Sequence, residues 1–186
     1  MPRLRFETVR DLLEAFPIAE PLIEVAPSDE PSLPYLAALV AREDWDRAIG
    51  FCAFLLPRRE AVWWGCRCVR KFVLKGTLDE REGLRLAEEW VSEPEEDRRM
   101  AALELGMRHN SKLATTHLAL AAGWSGRSFS IAGGDPVPIQ PHATARSVRA
   151  AILIAAGRAS PAERPELMRG CVEDGIRIAV DGMEQG

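Results

Sequence analysis

The sequence predicts an all-α protein, and three observations carry that reading. Apolar residues recur at helical spacing along nearly the whole chain, no run of alternating polarity long enough for a strand stands out, and start and stop signals divide the periodic segments at short intervals. A chain of 186 residues, 47% hydrophobic and 28% charged, can bury one sizeable core, so a single helical domain over 1–186 is expected. Short connections make consecutive helices antiparallel neighbours, which gives an irregular multi-helix bundle or a short solenoid of helical hairpins. No repeat of fixed length emerges, and this favours the bundle.

The first helix is set by Val9, Leu12, Leu13 and Phe16, the second by Leu33, Leu36, Ala37 and Val40, and the third by Trp45, Ala48, Ile49, Cys52 and Leu55. Ser32 and Asp44 occupy the positions where helix caps belong. Pro57 fixes φ and lacks an N–H that would go unpaired at a helix start, so a fourth helix is expected from Arg58 to Lys75. Gly76-Thr77 separates it from a helix over Leu78 to Ser92, and Glu93-Pro94 precedes another that His109 closes. Asn110-Ser111 breaks and recaps the chain ahead of a helix from Lys112 to Ala122. The stretch from Gly123 to Pro141, rich in glycine and proline, reads as the one long irregular loop. Two longer helices, His142 to Gly157 and Ser160 to Asp181, complete the chain, with its last few residues expected to fray.

Charge narrows the functional classes. A formal net charge of −4 and a pI near 5.5 argue against a general nucleic-acid binder, which needs a basic balance to neutralise phosphates. The amino terminus lacks the apolar stretch of a secretory signal, and the strongest apolar run, Ala150 to Ala156, is too short to cross a bilayer. A cytoplasmic protein, not inserted in a membrane, is expected.

Residues 56 to 68 concentrate two of the five tryptophans and two of the four cysteines. On a helix, positions two apart point in nearly opposite directions, so Cys66 and Cys68 cannot chelate one ion, and they read as reduced core residues. No metal or cofactor is expected. Trp64 falls on the apolar arc, whereas Trp63 falls with Arg67, Arg70 and Leu74 on the charged side. Tryptophan and arginine dominate protein interfaces, which makes Arg58, Arg59, Trp63, Arg67 and Arg70 the candidate partner-binding patch. A local cation–π contact between Trp63 and Arg67 is the plainer alternative.

Other candidate chemistry is sparse. His117 lies on the stripe of Leu113, Leu120 and Trp124, where a lone imidazole is usually a hydrogen-bonded core group. Ser125 and Asp135 could complete a triad with it, but Gly123-Trp124-Ser125-Gly126 lacks the spacing of a nucleophile elbow. Gly133-Gly134-Asp135 lacks the lysine and the spacing of a phosphate loop. The carboxylates Glu88, Glu89, Glu93, Glu95, Glu96 and Asp97, clustered at a helix junction, suit capping and solvation.

The segment Leu56-Pro57-Arg58-Arg59-Glu60-Ala61-Val62-Trp63-Trp64-Gly65-Cys66-Arg67-Cys68, with Pro141-His142-Ala143-Thr144-Ala145-Arg146 downstream, resembles an uncharacterised bacterial family of small helical proteins, some encoded near type VI secretion components. That resemblance implies an adaptor or chaperone-like role in assembling or loading secretion machinery, with a secretion component as partner and no catalytic residues to carry over. The expectation is therefore a non-enzymatic protein that binds another protein through the arginine face or the 123–141 loop. A hydrolase or metal-dependent enzyme using His117 and that loop is the rival.

Overall fold

The computed structural model describes residues 4–73, 75–108, 110–130 and 133–183. The expected placement of Leu74, the helix-closing role of His109 and the fraying of the last three residues lie outside them. Among the described residues the chain forms ten helices and one minimal hairpin, so the protein is all-α. The helices are α1 (Val9–Ala15), α2 (Ala19–Ile23), α3 (Ser32–Ala41), α4 (Trp45–Leu55), α5 (Arg58–Phe72), α6 (Leu78–Ser92), α7 (Glu96–Arg108), α8 (Ala114–Gly123), α9 (Ala143–Ala156) and α10 (Arg164–Asp181). Between α8 and α9, β1 (Ser128–Phe129) pairs antiparallel with β2 (Val137–Pro138).

The arrangement is a bundle. Helix α8 packs on α5, α6, α7 and α9, while α5 also meets α4 and α10. In a solenoid each helix would touch only its neighbours in sequence. One continuous cluster of buried residues runs from Val9 to Ile178, centred on Phe51, Phe54, Trp64, Leu118 and Ile152.

Local departures from the expected elements have physical reasons. Helix α2 has no counterpart in the sequence pattern because its five residues, with Pro21 among them, are too few for a period to register. Helix α5 stops at Phe72, short of Lys75, and α8 begins at Ala114 because the Asn110 side chain accepts from Lys112 N (2.9 Å) in a tight turn. Ser160 starts no helix. It caps the turn leading into α10, accepting from Glu163 N at 3.3 Å. Ser32 is no cap either, since its hydroxyl donates to Phe6 O (2.9 Å), and Asp44 does precede α4 but gives its carboxylate to Arg47 (2.7 Å).

Helix α6 has the strongest cap. Thr77 Oγ1 accepts from Glu80 N (3.3 Å) while the Glu80 carboxylate accepts from Thr77 N (2.8 Å), a reciprocal box. Glu80 is 3% exposed and also pairs with Arg158 beyond the end of α9, so the cap fastens two distant helices. Burial pushes the Glu80 carboxyl up, but the Thr77 N–H and the Arg158 guanidinium together outweigh it and hold the pKa below the ordinary glutamate value. The folded pKa being the lower one, this stabilisation is complete above the unfolded value of about 4.3 and lost as pH falls through the folded value. Glu80→Gln is expected to lower stability by about 1–2 kcal/mol at neutral pH. Denaturant titrations across a pH series should show the gap to wild type closing in acid; a gap that widens there contradicts the assignment.

Candidate functional site

The arginine face of α5 is where the sequence placed it, and its side chains are engaged by the chain's own groups. Arg58 donates to Ser125 O (2.7 Å) and Gly126 O (3.2 Å), and Arg59 donates to Val91 O (2.7 Å) and Ser92 O (3.3 Å). Arg70 forms a two-pronged pair with Glu88, both contacts at 2.7 Å. Arg67 stacks over the Trp63 ring at 5.2 Å and lies 4.0 Å from Asp174. Trp63 is half-buried against the core rather than turned fully outward. These residues fasten α5 to α6, to α10 and to the segment after α8. Glu89, Glu93 and Glu96, from the acidic cluster, pair with Arg85, Arg98 and Arg99.

The cysteines are free and buried. The Cys68 thiol meets that of Cys171 on α10, whereas Cys66 lies nearer Glu88 and Arg70. Burial, reinforced by the neighbouring sulfur, pushes the Cys68 thiol well above its ordinary range. Among the described residues no three of His, Cys, Asp and Glu are placed to share a metal ion.

The expected irregular loop is more ordered than its composition suggested. Ser128 faces Pro138 and Phe129 faces Val137, with Ile139 N donating to Arg127 O (2.8 Å) beyond the last pair. Proline is tolerated in β2 because a two-stranded ribbon leaves one side of every strand unpaired. Trp124, which caps α8, meets Phe129 edge-on with ring centroids 5.2 Å apart.

Arg99 is the residue that positions this hairpin. Its side chain, 6% exposed, donates to Gly123 O (2.6 Å) and Ser128 O (3.0 Å) and pairs with Glu96. A Cβ at residue 126 would stand 2.7 Å from the Arg99 guanidinium carbon, so glycine there is what lets this side chain lie against the segment without shifting. Arg58 donates to the carbonyls between, so two arginines hold four acceptors from the end of α8 through β1. Sequence reading passed over Arg99, although its spacing to Ala102, Leu103 and Gly106 on one stripe could have marked it as an inward-facing cation.

Two clefts flank the hairpin, with Phe129 lining both. The first, about 460 Å³, runs between α8, α9 and the hairpin and is lined by His117, Trp124, Ile139, His142, Arg146 and Ser147 among others. His117 Nε2 lies 2.8 Å from Ser111 O. A carbonyl only accepts, so Nε2 is the donor. Burial, then the charge of Arg146, holds the His142 pKa below its ordinary value. Thr144 ties the start of α9 to α8 by donating to Ala121 O (3.2 Å). The second cleft, about 580 Å³, lies between α7 and the hairpin and is lined by Met100, Ala101, Leu103, Met107 and Phe129 together with the charged Asp97, Glu104 and Arg108. Met107 is 50% exposed and Val137, on β2, 46%.

The structure thus brings His117 and the 123–141 segment together. It does not join His117 to Ser125 or Asp135 by a hydrogen bond among the described residues: His117 Nε2 is taken up by Ser111 O, and Asp135 is exposed near the hairpin tip.

These features define an all-helical bundle whose surface clefts are built around a braced hairpin. The chain belongs to the family of unknown function DUF6931, whose model matches residues 35–179, from within α3 to within α10 and so across every element of both clefts. This agrees with the resemblance to an uncharacterised family. Neither the curated proteins nor the solved structures contain a match to the chain. Among the described residues no helix is long and apolar enough to cross a membrane.

Proposed function

We propose that the protein is a non-enzymatic, cytoplasmic adaptor or chaperone-like accessory protein that holds an apolar segment of another protein in the cleft between α7 and the hairpin. One observation supports this above the others: Met100, Met107 and Phe129 line an open apolar trough beside a hairpin that Arg99 keeps in place. Methionine is flexible and polarisable, which suits a surface that must fit more than one apolar side chain. The arginine face of α5 is a weaker anchor, because a partner would have to compete with the carbonyls and carboxylates those guanidinium groups already hold. The type VI secretion context, with assembly or effector loading as the task, rests on the family resemblance of the 56–68 and 141–146 segments.

A photo-crosslinking residue at position 107 or 137, expressed in the native host, is expected to give a discrete protein adduct, while one at the exposed Leu78 gives none. Equal labelling at all three positions, or none at the first two, overturns the reading. The rival enzyme reading draws on His117, His142 and Ser147 lining one cleft. Stoichiometric zinc or iron in the purified protein, lost with chelator alongside folding, would favour it.

A further inference from the structure

We propose that the cleft between α8, α9 and the hairpin recognises a carboxylate of the bound segment, so that the partner peptide carries an acidic residue close to its apolar one. This rests on the adaptor reading and names the partner's chemistry. The cleft is one-sided in charge. Its polar and titratable groups are His117 from α8, His142 at the cap of α9, Arg146 and Ser147 from α9, and Gln140 from the end of the hairpin, and among the described residues no aspartate or glutamate lines it. That is unusual in a chain with more acids than bases. Elsewhere on the bundle Arg99 pairs with Glu96 and Arg70 with Glu88, while Arg58 and Arg59 are taken up by backbone carbonyls. Arg146 forms no ion pair among the described residues, and its planar fork suits a carboxylate. The apolar part of the same lining, Trp124 and Phe129 with Ile139, offers a neighbouring seat for the apolar residue of the segment. Phe129 also lines the methionine-bearing cleft, so one peptide crossing the hairpin base reaches both.

The test is selection from a library of random displayed peptides against the full chain, followed by affinity measurements on the peptides obtained. The selected sequences are expected to be rich in aspartate or glutamate, and an acidic peptide is expected to bind at least about tenfold more tightly than its asparagine or glutamine counterpart. Arg146 is exposed, so Arg146→Glu is expected to keep the unfolding midpoint while removing that tenfold preference, with Arg146→Ala as a milder control. Neutral apolar peptides that bind wild type and Arg146→Glu equally would overturn the proposal and leave the adaptor reading standing. Selection of no peptide at all would overturn both, and tight binding of inorganic phosphate alone would make the cleft a small-anion site.

Discussion

Trp64→Ala is expected to remove about 3–5 kcal/mol of stability, a large share of the roughly 5–15 kcal/mol typical of a folded domain. The indole is completely buried, and its Nε1 donates to Cys171 O at 2.8 Å, joining α5 to α10 across 107 residues of sequence. The substitution therefore loses apolar burial together with one cross-helix hydrogen bond, while Cys171 O keeps its partner within α10. Trp64→Phe, which restores most of the volume without the donor, should recover more than half of the loss. Denaturant unfolding of the three proteins measures this. A loss below about 1 kcal/mol for the alanine variant would mean the core closes over the gap, contrary to the packing described.

Arg99→Ala is expected to cost about 2–4 kcal/mol, from two carbonyls left without donors and the space left by the side chain. Glu96 adds little, being 69% exposed on its side chain and free to solvate once its partner is gone. The loss should be concentrated in the hairpin. Hydrogen exchange at the Ile139 amide, whose bond to Arg127 O closes the ribbon, is expected to accelerate far more than exchange in the middle of α8. Peptide binding should fall with it. Uniform acceleration across α8 and the hairpin would place Arg99 in the global core instead and detach it from the clefts.

How much of this was legible beforehand depended on the range of the interaction concerned. Helical spacing is a local property, and it located every helix except the five-residue α2. The opposed directions of Cys66 and Cys68 follow from helix geometry alone, so that expectation could be formed without neighbours. What the arginines of α5 do could not. Arg58, Arg59 and Arg70 reach acceptors 67, 32 and 18 residues away, and a solvated face and an interlocked one have the same composition. The hairpin was hidden because strands of two residues carry no alternation, and their order comes from Arg99, a side chain on another helix. His117 was flagged for its stripe, yet its company of His142 and Arg146 arises from the packing of α9 on α8.

The sulfhydryl groups of Cys52, Cys66, Cys68 and Cys171 are at most 1% exposed and unlinked to one another. An alkylating reagent in the surrounding water can reach them only when helices part, so the rate at which the folded chain takes up such a label is a clock for its opening. Since the sulfurs sit on α4, α5 and α10, that clock is blind to the hairpin, and comparing it with events at the clefts separates breathing of the bundle from motion at its rim.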